Sequence, residues 1–254
     1  MRLKPNNSIV EATAKSTRMR VDTLAEHSPE MSPMKGFETS IPKGGILPCY
    51  YIPFTLNKRV IRRDNILEYL KDVLDPQPGN CRNRSLALHG MGGVGKSAIG
   101  RQYVNSSRDK CDAIFWISAD KRTNMIQCFI DIAQKLGFIS TDRRSEDADA
   151  AIIKVKDWLN VTDCRWLVIF DNADDLELLT HFWPGSAPGS ILLTSKDTSA
   201  AFSPARAGVF VEPFDDETGA AVFLELLGQD NPSSNRDIPE KITFKLGGLP
   251  HALC

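Results

Sequence analysis

The chain has 254 residues, of which 42 % are hydrophobic and 25 % charged; it is long enough for one sizeable core, or a core with a small companion domain. A formal net charge of −1 supplies no global attraction to nucleic acid or to an anionic membrane, so neither is expected as a partner. Cysteines at 49, 81, 111, 128, 164 and 254 form no CxxC pair, and no apolar run reaches the roughly 18 residues of a membrane span; both features speak against a disulfide scaffold or a zinc site and for a reducing, cytoplasmic setting.

In chain order, residues 1–55 are rich in turn formers such as HSPEMSP and IPKGG and keep no regular period, so they read as a disordered leader with one short helix near Val21–Glu26. From Asp64 the pattern changes. DNILEYLKDVL sets Ile66, Leu67, Leu70, Val73 and Leu74 at helical spacing, with Asp64 placed to cap the start and Asp75–Pro76 to end the helix.

Five short apolar runs follow: SLALH (85–89), AIFWIS (113–118), WLVIF (166–170), SILLT (190–194) and VFVEP (209–213). Helical segments near 97–107, 123–136 and 146–160 separate the first three from one another. Near-continuous apolar strands alternating with helices predict an α/β fold, with a parallel five-stranded sheet covered on both faces. A helix over 215–228 starts on acids that suit its N-terminus, and a second over 238–253 breaks at Gly247–Gly248 and restarts at Leu249–Pro250.

SLALH runs directly into GMGGVGKSAIG, in which Gly90, Gly95, Lys96 and Ser97 satisfy GxxxxGK[ST] between a strand and a helix. Glycines let successive backbone N–H groups turn onto phosphate, where a Cβ would clash or forbid the dihedral. The following helix adds its positive end, a lysine at position 96 reaches the terminal phosphates, and the hydroxyl of Ser97 is a Mg²⁺ ligand. Gly90, Gly92, Gly93, Val94, Gly95, Lys96, Ser97 and Ala98 are thus the candidate nucleotide contacts.

WLVIF delivers Asp171 to a strand's C-terminal end, the position of a second group for Mg²⁺. Asn172 stands next, where a fast ATPase would carry a second acid; it can orient a water but cannot take its proton. Asp174 and Asp175 are weaker candidates for a base, better suited to starting the next helix. No guanine-reading [NT]KxD motif ends a strand, and Asp109–Lys110–Cys111–Asp112 is a near miss before the wrong strand; adenine is the expected base.

Together, LHGMGGVGKS, DAIFWISAD, WLVIFDNADD, GSILLTSKD and LGGLPHAL resemble the NB-ARC group of STAND ATPases, especially fungal NLR-like proteins. The resemblance runs from about Phe54 to the last residue. It implies the three-layer P-loop NTPase fold, with the SILLT strand between the P-loop strand and the Asp171 strand. It also implies that Thr194, Ser195 and Lys196 sense the γ-phosphate, with Lys196 in place of the family's arginine. Pro250 of GLPHAL inherits a contact with the nucleotide, and Arg63 a role near the adenine. By the same resemblance, 56–230 is the nucleotide-binding domain and 231–254 the beginning of a helical subdomain. The family's remaining helical subdomain, winged helix and ligand-sensing repeats are expected to be missing, so that the chain reads as truncated after its GLPLAL-like motif.

The expected function is an ADP/ATP-binding signalling switch of the NLR and STAND type, with slow or no hydrolysis, needing Mg²⁺. One alternative is a working P-loop ATPase or kinase, for which Arg143–Arg144 is the one candidate lid pair. A second is a non-switching fragment that acts by self-association or by pairing with full-length NLR-like proteins.

Overall fold

The computed structural model describes residues 44–55, 63–76, 83–140, 148–185, 189–227 and 237–253. The expected helix near Val21–Glu26 and the Arg143–Arg144 pair lie outside them.

The strands are β1 (Cys49–Tyr51), β2 (Arg84–His89), β3 (Ala113–Ser118), β4 (Trp166–Asp171), β5 (Ser190–Ser195) and β6 (Ala207–Phe210). They form one sheet in the order β1-β3-β4-β5-β2-β6, and every pairing is parallel. The helices are α1 (Asp64–Leu74), α2 (Lys96–Ser107), α3 (Arg122–Lys135), α4 (Ala148–Val161), α5 (Leu176–Thr180), α6 (Asp216–Leu226), α7 (Asp237–Lys245) and α8 (Pro250–Leu253). A 3₁₀ turn spans Thr198–Ala201.

Alternate side chains of each strand point to opposite faces, and here both faces are buried. Phe115 and Ile117 pack with Met125 and Phe129 of α3 and Trp158 of α4. Ile114 and Trp116 pack on the other side, with Leu70 of α1 and Ile99 and Tyr103 of α2. The uninterrupted apolar strands therefore have a use for every residue, which is why they show no period of two.

Among the described residues the sheet has six strands where five are expected. The added strand, β1, lies within the stretch read as leader, and it pairs Cys49, Tyr50 and Tyr51 with Ala113, Ile114 and Phe115. Three residues are too few to display a period, and the edge position asks for no more. β6 begins and ends earlier than VFVEP: Val211 lies beyond the strand, buried, with its N–H donating to the carbonyl of His89. Asp64 is not the cap of α1 either. Arg63 occupies that position and no side chain caps the helix. Asp175 and Asp215 do cap, accepting from the N–H groups of Leu178 and Thr218.

SILLT, as β5, lies between β2 and β4. The parallel order brings the loop after β2, Asp171 at the end of β4 and Lys196 after β5 to one edge of the sheet. Asp109–Asp112 precede β3 and so sit at the opposite edge, where Lys110 pairs with Asp75 and Asp112 with Arg165. That tetrapeptide is a structural brace.

The last helical segment is tied to the edge that carries the loop after β2, through Gly248. Its carbonyl accepts from the N–H of Phe214 at 2.8 Å and its own N–H donates to Thr243 at 3.0 Å. Gly248 has φ +64°, and a Cβ there would lie 2.0 Å from the Phe214 carbonyl oxygen. We expect Gly248→Ala to lower the urea stability by about 2 kcal/mol, from left-handed backbone and overpacking combined. An unchanged midpoint would show that the GLPHAL turn is not held this way.

Candidate functional site

Gly90 opens the loop after β2. At φ +142° it passes so close to the Val211 carbonyl that a Cβ would come within 2.6 Å of that oxygen; a side chain would push the loop off the sheet. The loop ends at Gly95, which precedes α2, so the helix presents its unpaired N–H groups to the same space.

Lys96 is buried, and its ammonium donates to the carbonyls of Gly90 at 2.8 Å and Met91 at 2.7 Å. Burial pushes its pKa down, and Lys196 acts in the same sense; Asp174 and Asp171 oppose them. The ammonium is thus held over the loop by two carbonyls.

Asp171 is buried and its Oδ1 accepts two hydroxyl hydrogen bonds, from Ser97 at 2.6 Å and from Thr194 at 2.5 Å. The Thr194 hydroxyl in turn accepts from the N–H of Asn172 at 2.9 Å. Asn172 has φ +60°, a conformation that asparagine tolerates better than most residues. The position therefore calls for a residue at ease in a left-handed turn, and Asn meets that without a second charge beside Asp171.

Asp174 is not free to serve as a base. Its Oδ1 accepts from the Lys196 N–H at 2.7 Å and from the Ser195 hydroxyl at 3.3 Å, and its Oδ2 is 3.0 Å from the Lys196 ammonium. Burial acts to raise its pKa, but the Lys196 amide, the Lys196 ammonium and the Ser195 hydroxyl outweigh it and hold the carboxyl below the usual range.

Above these groups lies a cavity of about 730 Å³, ample for a nucleotide. Gly92, Gly93, Gly95, Lys96, Ser97, Ala98, Asn172, Lys196 and Pro250 all line it. Asp171 and Thr194 lie one layer beneath, where Asp171 accepts from the hydroxyls of both Ser97 and Thr194. Val94 points away, into the core between β2 and α1, and Gly90 shapes the loop from behind without lining the cavity. Arg63 is also set back. Its guanidinium lies 4.2 Å from the centre of the Phe214 ring and donates to the Glu212 carbonyl, so it supports a wall residue.

That wall is what sequence reasoning missed: Thr55, Arg101, Gln102, Phe214, Val222, Leu226 and His251 also line the space. Arg101 follows Ser97 by four residues on α2 and shares its face, a signal available in the sequence. Val222 and Leu226 share a face of α6 in the same way, but as apolar residues they look like ordinary core. Pro250 reaches the loop closely, with its Cγ 3.5 Å from where a Cβ on Gly95 would stand, and the His251 N–H donates to the Gly93 carbonyl at 3.2 Å.

The donor set suits Mg²⁺. That ion takes few protein oxygens and keeps the rest of its shell for water and phosphate; the Ser97 hydroxyl and the Asp171 carboxylate converge within 2.6 Å to supply two. No described helix is long and apolar enough to cross a membrane.

The NB-ARC domain family matches residues 63–224. The chain is similar to a nucleotide-binding leucine-rich repeat (NLR)-like protein of Hyaloscypha variabilis, 28 % identical over 226 residues, covering 80 % of this chain and 22 % of that protein. It is also similar to a "Probable disease resistance protein" of Arabidopsis thaliana, 26 % identical over 186 residues, covering 66 % of this chain and 25 % of the other. The chain thus spans about a quarter of the length of these relatives. Among solved structures, Cdc6p of Pyrobaculum aerophilum superposes with a TM-score of 0.55 at 17 % identity, over 80 % of this chain and 62 % of that one. The ORC1 protein of Aeropyrum pernix, solved in complex with DNA, gives 0.55 at 15 % identity, over 80 % and 60 %. At such identities the likeness is one of fold.

Thr194 is fully buried, and its hydroxyl is the link between Asp171 and the Asn172 turn. Thr194→Val should leave both the carboxylate and an N–H short of a partner and cost about 1–3 kcal/mol, read as a fall in thermal midpoint, whereas Thr194→Ser should stay close to wild type. Equal stability of the Val and Ser variants would show the hydroxyl to be dispensable.

Proposed function

The chain belongs to the NB-ARC family, and from that premise we propose that it is an adenine-nucleotide-binding signalling switch of the NLR and STAND type, which holds ADP or ATP and hydrolyses slowly or not at all. The observation that carries the reading is the convergence of the glycine loop, Lys96, Ser97 over Asp171, Lys196 and Pro250 around one cavity. In it the loop amides and the start of α2 bind the phosphates, and Lys96 leaves its two carbonyls for phosphate oxygens. Ser97 and Asp171 hold Mg²⁺, which when bound offsets phosphate charge. Phe214, Val222, Leu226 and Pro250 give the base an apolar surface, with Arg63 behind Phe214. Lys196 reads the terminal phosphate.

Slow turnover is supported by where the acids are. No carboxylate lines the cavity among the described residues, Asp174 is engaged by Lys196, Asp175 caps α5, and Asn172 cannot take a proton from water. A held nucleotide is itself the signal in a switch. These observations weigh against the rival reading of a fast ATPase or kinase. A cytoplasmic location and the division at 230/231 into a nucleotide-binding domain and the start of a helical subdomain belong to the same proposal.

One observation favours a second reading, in which the chain pairs with itself or with longer NLR-like proteins. Leu227, Ile238 and Phe244 on and beside α6 and α7 are 58 %, 59 % and 73 % exposed, and apolar surface of that kind marks interaction sites. Sedimentation at increasing concentration tests it: self-association that Phe244→Asp abolishes would support this surface, and a monomer at all concentrations would leave only pairing with other chains.

Titration calorimetry tests the main reading. Lys96→Ala should weaken ADP and ATP binding by about 100-fold, the loss of one or two charge-assisted hydrogen bonds. Asp171→Ala should weaken Mg²⁺–ATP more than ADP. Wild-type affinity in Lys96→Ala would mean that the nucleotide, if bound, sits elsewhere.

A further inference from the structure

Asp174 is held by both ends of a single residue. One carboxylate oxygen accepts from the Lys196 amide at 2.7 Å and the other lies 3.0 Å from the Lys196 ammonium. This fixes the lysine side chain against the phosphate loop, where its Cε is 3.5 Å from the place a Cβ on Gly92 would occupy. The same carboxylate acts on Lys96, raising its pKa against the effect of burial. Asp174 thus sits as a negative charge felt by both lysines of the cavity, 40 % exposed against 64 % for Lys196.

We propose that Asp174 is a specificity-determining residue that biases this site toward nucleoside diphosphates, by engaging the Lys196 ammonium that a third phosphate would need and by repelling that phosphate. The inference rests on the reading of the cavity as an adenine-nucleotide site. Two phosphates are served by the loop amides and Lys96, which Asp174 does not obstruct. A third must draw Lys196 away from its carboxylate, and it meets a like charge as it does so. Free arginine or lysine at the position after β5 would favour the triphosphate; a lysine already paired does so less. Asp174 is therefore a positioning group acting through Lys196, with no part as a base.

Asp174→Asn tests this cleanly, because the amide oxygen still accepts from the Lys196 N–H while the charge is gone. Mg²⁺–ATP and Mg²⁺–ADP are titrated into the full chain as wild type, Asp174→Asn, Lys196→Met and the double variant. Asp174→Asn should tighten ATP by roughly two- to fivefold, the scale of a partly exposed ion pair, and leave ADP unchanged. In the Lys196→Met background the same change should lose most of its effect on the ATP-to-ADP ratio. Asp174→Ser, which likewise removes the charge, should shift the ratio in the same direction, so that poor folding of one variant does not decide the matter. An unchanged ratio, an equal change for both nucleotides, or unchanged affinities with loss of hydrolysis would overturn the proposal while the nucleotide site stands. A folded wild type that binds neither nucleotide would overturn the site and the proposal together.

Discussion

One carboxylate oxygen organises the site. Asp171 Oδ1 accepts from Ser97, at the start of the helix after the phosphate loop, and from Thr194, at the end of the neighbouring strand. A buried carboxylate is costly unless its lone pairs are used, and here two hydroxyls use one oxygen while Thr194 passes the network on to the Asn172 amide. Strand order makes this possible, since β5 lies between β2 and β4. Two strand ends and a helix start are thereby held in mutual register. The Ser97 hydroxyl and the carboxylate also end up close enough to share a metal ion, so the contact that stabilises the fold and the geometry that suits Mg²⁺ have the same origin.

Along the same edge of the sheet, each acidic residue is engaged by a group of the protein itself. Asp171 is engaged by hydroxyls, Asp174 by both ends of Lys196, and Asp175 by the first turn of α5. The position between them that could have held a further acid holds Asn172, in a left-handed turn whose N–H is committed to Thr194. Each acid has a positional task. In the proposed switch, such an arrangement would favour retention of a nucleotide over its consumption, with the choice of nucleotide set by small charge differences around Lys96 and Lys196.

Much of this was legible in the sequence because it is local. The phosphate loop is defined by residues within one turn of chain, and the buried strands announce themselves as apolar runs of five or six. The break at Gly247–Gly248 was readable too, since two adjacent glycines after an amphipathic helix demand a change of course; both have φ +64°. Edge structure was harder. β1 is three residues long, and Val211 looked like strand although it lies beyond β6, under the loop. The least legible parts join residues distant in sequence. Asp174 and Lys196 are 22 residues apart, Arg63 and its Phe214 platform further still, and nothing in either partner's neighbourhood names the other. Phe214, Val222 and Leu226 form a wall of the cavity with side chains that composition alone assigns to the core.

The most direct measurement is to denature the freshly purified chain and identify what it releases by chromatography. Adenine nucleotide near one per chain is the predicted result, with ADP in excess over ATP. A folded chain that releases none, and gains no thermal stability from added ADP or ATP, would contradict a protein built to hold its nucleotide.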